Sequence, residues 1–235
     1  MHAMGDPTGR TAGQHARATV RRLRLRTLVA LGVLAVATAL LGRTFGLRDE
    51  RFHASELALL ACMFVISRYV LPLVNRHDRG ASAEEQVGGL LDQLAGWRVI
   101  HDASMGRGNV DHILIGPAGV FTVETKSRPD PVRVSAVHGA TLRQAHAQRK
   151  LVEAIIGLRV EPLLVFSRAW VDRPMARRKG VRVLPARMLL GYVTRRGRRL
   201  SAEEIELAHR LLTAALSEHR LRVGLRERAA GWSRL

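Results

Sequence analysis

Cysteine is almost absent from this chain of 235 residues, since Cys62 is its one cysteine. A disulfide bond within one chain is therefore excluded, and a zinc site built on cysteine is not expected. A single thiol is also typical of proteins in a reducing compartment. Aromatic residues make up only 4% of the chain, so we do not expect a surface that reads single-stranded bases by stacking.

Acidic residues are few as well. The chain has 20 Asp and Glu against 38 Lys and Arg, and its formal net charge is +18. This excess favours an anionic partner, either nucleic acid or the acidic face of a membrane, without choosing between them. Two arginine-rich segments, residues 173–180 and 195–199, are typical of loops and are candidates for contacts with a phosphate backbone. A solvated surface is the alternative interpretation of both.

Charge is missing altogether from residues 27–42, an apolar run that follows the basic segment 21–26. The 20 residues from 28 to 47 make about 30 Å of helix, which is enough to cross a bilayer. A second run, 55–74, contains Glu56 and Arg68 and is a weaker candidate. Residues 21–79 are therefore predicted to form a transmembrane helical hairpin with spans at about 28–47 and 55–74. Residues 1–20 are polar and aperiodic, and we predict that they are disordered.

Basic residues flank both outer ends of this hairpin, at 21–26 and at Arg76 and Arg79. The positive-inside tendency then places both termini, and the soluble domain, in the cytoplasm. The prediction is a multi-pass protein of the cell membrane. Two alternatives are a pair of core helices in a soluble protein and a cleaved signal peptide, although a second apolar run is unusual after a signal peptide.

The remaining chain alternates between helical and strand patterns. The predicted helices are 82–97, with Ser82 as N-cap, 141–158, and 201–220, which begins with a capping box from Ser201 to Glu204. The predicted strands are 98–104, 110–116, 120–126, 161–167 and 181–185. This order predicts a mixed α/β domain in which helices flank a mixed sheet.

Two of these strands are joined by "GPAG", residues 116–119, and form a predicted antiparallel hairpin. A symmetric loop pairs residues whose numbers add to 235, so Asp111 faces Glu124. Side chains alternate between the faces of a strand, and Lys126 therefore shares the face of these two carboxylates. The prediction depends on register, because a loop one residue longer or shorter would move Asp111 to the opposite face.

Two carboxylates directly across a ladder lie roughly 5 Å apart at Cβ and repel each other. A divalent cation between them reverses this effect, and hard oxygen ligands are those that Mg²⁺ takes. Lys126 lies about 7 Å from Glu124 along the strand and could orient a water or stabilise charge on a phosphate. The alternative is a solvated ion pair of Glu124 and Lys126, with Asp111 at the end of a turn.

The segment "GNVDHILIGPAGVFTVETKS" resembles the central signature of the NERD, or nuclease-related, domain. The shared pattern is a small turn, Asp-His, an apolar strand, Gly-Pro-x-Gly-Val-Phe and then Glu-x-Lys. The resemblance extends through "AEEQVGGLLDQLAGWRVIHDA", "LRQAHAQRKLVEAII" and "VEPLLVFS", and it covers roughly residues 80–195. It leaves residues 196–235 as a basic, helical C-terminal segment.

The resemblance implies a restriction-endonuclease-like fold and a relation to the PD-(D/E)XK nucleases. It implies that Asp111 and Glu124 ligate Mg²⁺, or Mn²⁺ in its place. Glu84 is then a further acidic group from the opening helix, and Lys126 positions the attacking water. Gln144 orients a ligand or contacts phosphate; its alternative role is an ordinary polar position on a helix.

Three functional hypotheses follow. The first is a membrane-anchored, metal-dependent nuclease that acts on nucleic acid, with DNA as the first candidate. The second is a nucleic-acid-binding or scaffolding module that keeps the fold without cutting. The third places the function in the membrane segment, as a sensor or a partner of a larger complex. None of them assigns an oligomeric state.

Overall fold

The computed structural model describes residues 12–45, 50–105 and 108–232. These residues divide into two compact units, one of residues 15–81 and one of residues 12–14 and 82–232. We call residues 15–81 the helical unit and residues 82–232 the sheet unit. Residues 1–11 lie outside the described residues, as do 46–49 in the link between the two predicted spans.

The helical unit contains α1 (Gln14–Phe45), α2 (Glu50–Val65), a π-helical turn (Ile66–Val70) and the first half of α3 (Leu71–Leu91). Residues 14–20, predicted to be disordered, are helical in the structure. The strong helix formers Ala and Arg in this segment allow the helix to extend from the apolar run toward the N-terminus. Asp78 Oδ2 accepts a hydrogen bond from Arg24 Nη2 at 3.4 Å, so the two outer ends of the unit lie together.

Two helical stretches of the described chain, Arg17–Leu40 and Glu56–Leu91, are long and apolar enough to cross a membrane. Core helices of soluble proteins and signal sequences meet the same criterion of length and composition. In each stretch, only 6% of its most apolar 18-residue segment is buried. Large side chains such as Leu28, Val33 and Phe64 are exposed.

Six strands form the sheet of the sheet unit, in the order β1-β2-β3-β4-β6-β5. The strands β1, β2 and β3 make an antiparallel meander, β4 and β6 continue parallel to β3, and β5 is antiparallel to β6. Their bounds are β1 Arg98–Ser104, β2 Asn109–Gly116, β3 Gly119–Lys126, β4 Val160–Phe166, β5 Arg177–Arg178 and β6 Val181–Pro185. The prediction of a mixed sheet flanked by helices is confirmed, and the very short β5 is an addition to it.

Helices cover both faces of this sheet. The face of Ile113 and Val120 packs on α4 (Gly139–Ile156) and α6 (Ala202–Trp232). The face of Leu114 and Phe121 packs on α3 and on the short helix α5 (Leu189–Thr194). Because α6 contributes buried residues such as Leu212 to this core, the C-terminal helix belongs to the sheet unit and is not a separate appendage.

Helix boundaries show where local signals succeed and fail. The capping box of α6 is present, since Ser201 Oγ accepts from the Glu204 N–H and Glu204 Oε2 accepts from the Ser201 N–H. Ser82, by contrast, lies in the middle of α3 and is not an N-cap. The apolar helix before it continues without a break, so the side chain of Ser82 has no free helix end to cap. That helix also ends at Leu91, before the predicted end at residue 97.

Candidate active site

The β2–β3 hairpin has the predicted register. His112 pairs with Val123, and Gly116 pairs with Gly119 across a two-residue turn. The same register, continued by one residue, sets Asp111 opposite Glu124. Asp111 Oδ2 accepts a hydrogen bond from the Thr125 N–H at 2.7 Å, which fixes this carboxylate against the end of β3.

Glu124 is the centre of a hydrogen-bond network. Its side chain is buried, at 2% exposure. Oε1 accepts hydrogen bonds from Lys126 Nζ at 2.5 Å and from Gln144 Nε2 at 2.9 Å. Oε2 accepts one from Gln148 Nε2 at 2.6 Å. A buried carboxylate needs such donors, since an unpaired charge is costly away from water.

Gln148 is a member of this network that the sequence interpretation missed. It lies on α4 one turn after Gln144, and its Nε2 also donates to the Asn109 carbonyl at 2.8 Å. The signal was available, because two glutamines four residues apart lie on the same face of a helix. Burial separates them: Gln148 is buried, while Gln144 is exposed.

Glu84 lies on α3 and acts on the site through its charge. Burial, followed by the charges of Asp102 and Glu124, raises the pKa of Glu84 from 4.5 to about 7. Asp102 was not predicted as a site residue. It is buried, accepts a hydrogen bond from Asn109 Nδ2, and has a left-handed backbone with φ of 50°, a conformation that Asp tolerates better than most residues.

The pKa values of Asp111 and Lys126 are both raised. Burial, with the nearby charges of Glu124 and Glu84, raises the pKa of Asp111 well above its usual range. Burial alone would lower the pKa of Lys126, but the charge of Glu124 and its hydrogen bond outweigh this effect and raise it. Lys126 is therefore a stable ammonium group at neutral pH.

The five predicted site residues differ in how closely they meet. Glu124, Lys126 and Gln144 are in direct contact, while Asp111 and Glu84 act on this group electrostatically. Within residues 12–45, 50–105 and 108–232 there is no group of three or more His, Cys, Asp or Glu side chains that could hold a metal ion. Any cation here would depend on few protein ligands.

Residues 79–167 match the family model of the nuclease-related domain, NERD. This part of the chain is therefore similar to NERD domains. It contains Glu84, Asp111, Glu124, Lys126, Gln144 and Gln148, and so the whole network lies within the matched residues.

The chain is also similar to two solved structures. A repair endonuclease from Pyrococcus abyssi is 17% identical with a TM-score of 0.26, over 48% of this chain and 42% of that protein. SfsA from Pyrococcus furiosus, in complex with Ca²⁺, is 20% identical with a TM-score of 0.25, over 57% of this chain and 52% of that protein. The chain thus spans about half the length of each. No curated protein matches it.

The histidine of the Asp-His signature is buried inside the sheet unit. His112 is fully buried on the opposite face of β2, and its Nδ1 lies 2.8 Å from Nδ1 of His101. His101 Nε2 lies 2.9 Å from Asp92 Oδ1. Burial, with the charge of His101, lowers the pKa of His112 well below its usual range. A neutral imidazole in this buried position is suited to a structural role.

Proposed function

We propose that this protein is a membrane-anchored, metal-dependent nuclease whose NERD domain cleaves phosphodiester bonds of nucleic acid. The observation that carries the proposal is the Glu124 network at the end of the β2–β3 ladder, in which Lys126 donates to Glu124 and the charge of Asp111 acts on both. Opposed carboxylates beside an ammonium group are unfavourable for stability alone, and they suit a site that handles a cation and a phosphate.

The residues present fit a hard divalent cation. Asp111 Oδ1 takes part in no hydrogen bond with a described residue, and the two oxygens of Glu124 together receive three. A carboxylate offers about four lone-pair positions, so both side chains retain capacity for a cation. Burial and the charges of Glu124 and Glu84 raise the pKa of Asp111, so a nearby cation would favour its ionised form. Bound Mg²⁺ or Mn²⁺ would supply this positive charge and act as a Lewis acid on a phosphate oxygen.

Lys126 and Glu84 take different roles in this proposal. The ammonium group of Lys126 keeps its proton at neutral pH, so it orients water or stabilises negative charge on the phosphate and does not act as a base. Glu84, with a pKa of about 7, is suited to accept or return a proton at neutral pH. Gln144, exposed beside Glu124, is placed to contact substrate.

Membrane anchoring rests on the helical unit. The apolar side chains of α1 and α2 are exposed in the structure, and a surface of this size needs a lipid or protein environment. The pairing of Arg24 with Asp78 supports a hairpin whose two ends lie on the same side. The basic flanks of those ends favour the cytoplasm, where nucleic acid is available.

A second candidate is a NERD domain that binds nucleic acid without cutting it. It is favoured by the hydrogen bonds of Glu124, because the three donors that its carboxylate receives all come from the protein. If this network does not open, no metal enters and the basic chain acts as a binding module.

Cleavage assays on the full chain in mild detergent distinguish the two candidates. Supercoiled plasmid, linear DNA and RNA are incubated with Mg²⁺ or Mn²⁺, and Lys126→Ala is compared with Lys150→Ala, which removes an exposed lysine from α4. The proposal expects Lys126→Ala to lose about 10²-fold or more in rate, by analogy with loss of a transition-state donor, and Lys150→Ala to keep it. Equal rates for Lys126→Ala and the wild type would sink the catalytic proposal.

A further inference from the structure

A cavity of about 520 Å³ lies in the sheet unit at the start of β3 and β4. Its lining includes Val120, six residues before Lys126 on β3. At about 3.3 Å per residue, Val120 is about 13 Å from Glu124 and about 20 Å from Lys126 along the strand. The cavity is therefore a separate site at the opposite end of the strand.

Arginine dominates the lining of this cavity. Five arginines and one acidic residue line it, so positive charges exceed negative ones by four. These residues are Arg149, Arg159, Arg177, Arg196, Arg199 and Glu161. Three of these arginines come from the segments 173–180 and 195–199, which the sequence singled out as basic loops. The fold gathers them around a concavity instead of leaving them along an open surface.

The one acidic residue is already saturated. Glu161 accepts hydrogen bonds from Tyr192 Oη at 2.8 Å, Arg177 Nη2 at 3.0 Å and Arg196 Nη1. Although burial opposes ionisation, these donors lower the pKa of Glu161 to about 2. Glu161 thus orients two of the arginines, and its hydrogen-bonding capacity is directed to them.

The other arginines lack comparable partners. The guanidinium groups of Arg159 and Arg199 form no hydrogen bond or ion pair with any residue that the structure describes. Arg149 forms an ion pair with Glu153, with 3.6 Å between Nε and Oε2, but its buried Nε donates no hydrogen bond in the described structure. Concentrated positive charge in a concave site, with a buried donor left over, calls for an anion.

We propose that this cavity binds a small polyphosphate anion, either the phosphate chain of a nucleotide or an inorganic polyphosphate. The guanidinium fork matches phosphate oxygens in two hydrogen bonds at once. A volume of about 520 Å³ is within the usual range of about 300–1,000 Å³ for small-molecule sites. The proposal is independent of phosphodiester cleavage at the Glu124 network.

Calorimetric titration of the full chain in mild detergent tests the proposal. The probes are inorganic triphosphate, ATP and adenosine, with EDTA present to keep divalent cations away from both the protein and the probes. We expect triphosphate and ATP to bind and adenosine not to bind. Equal affinities identify the polyphosphate as the whole determinant, and tighter binding of ATP identifies a nucleotide site.

Two double variants supply the comparison. Arg159→Ala/Arg199→Ala should weaken triphosphate binding by tenfold or more, because two guanidinium groups of the cavity are lost. The charge-matched control Arg133→Ala/Arg210→Ala removes two exposed arginines that do not line the cavity and should change affinity by less than about twofold. All four positions accept alanine without loss of a described side-chain hydrogen bond, and circular dichroism checks the fold.

Three results would overturn the proposal. The first is that the wild type binds neither triphosphate nor ATP. The second is that the control pair weakens binding as much as the cavity pair, which would mean that only net charge is sensed. The third is that a duplex oligonucleotide competes for the cavity better than triphosphate, in a way that depends on Arg159 and Arg199. That result would reassign the cavity to a nucleic-acid backbone.

Discussion

Replacing Glu84 with glutamine should make the stability of the sheet unit less sensitive to rising pH. The pKa of Glu84 is raised from 4.5 to about 7 by burial and by the charges of Asp102 and Glu124. A carboxyl group with a raised pKa in the folded state adds stability that is fully present below pH 4.5. That stability is lost as the pH rises through about 7.

The size of the effect follows from this difference. One pKa unit corresponds to about 1.4 kcal/mol, so ionising Glu84 in the folded protein costs at most about 3 kcal/mol. For a chain of this size, 1 kcal/mol corresponds to about 2–4 °C in Tm. Between about pH 5 and pH 8, the wild type should therefore lose up to about 6–12 °C that Glu84→Gln does not lose.

Thermal unfolding of the full chain in EDTA, followed by circular dichroism across this pH range, measures the difference. Glu218→Gln, which changes an exposed glutamate of α6, is the matched control and should follow the wild-type profile. The electrostatic description of the site is refuted if Glu84→Gln and the wild type lose Tm in parallel.

Other changes test the network, the packing and the membrane segment. Gln148→Leu removes a buried donor of Glu124 and should lower the free energy of unfolding by about 1–3 kcal/mol, more than Gln144→Leu at its exposed position; equal losses would contradict the assigned burial. A Cβ on Gly116 would lie 2.1 Å from the Trp97 ring, so Gly116→Ala should lower the free energy of unfolding by about 1–3 kcal/mol or more. A Cβ on Gly89 meets open space, so Gly89→Ala should not destabilise the protein. Denaturant unfolding of both variants measures the difference. In fractionated cells the full chain should stay with the membrane in high salt and be released by detergent, and release by salt alone would argue against two spans.

The hairpin was predictable because its signals are local and agree with one another. Alternating side chains and the symmetric "GPAG" loop define the register, which is observed from Gly116 and Gly119 to His112 and Val123. Asp111 and Glu124 are the next residues along the two strands. The donors from α4 are harder to predict. Nothing within the sequence near Glu124 shows that Gln148 reaches it, since that contact requires α4 to pack across the sheet.

Failures at the helix ends have a common physical cause. Ser82 has the chemistry of an N-cap, yet α3 runs through it from Leu71 to Leu91, so no helix end is free there to be capped. The cavity at the start of β3 also depends on contacts between distant segments, which local sequence signals do not show. Its arginines are scattered over 51 positions, from Arg149 to Arg199, and only the assembled sheet unit brings them together.

Binding of Mg²⁺ tests the central claim, a cation site between Asp111 and Glu124, most directly. Calorimetric titration of the full chain should show saturable binding that Asp111→Asn weakens by tenfold or more, since one ligand loses its charge. Asp130→Asn changes an exposed aspartate just after β3 and should retain the wild-type affinity. A wild type that binds no Mg²⁺, or an Asp111→Asn variant that binds it equally well, would contradict the account.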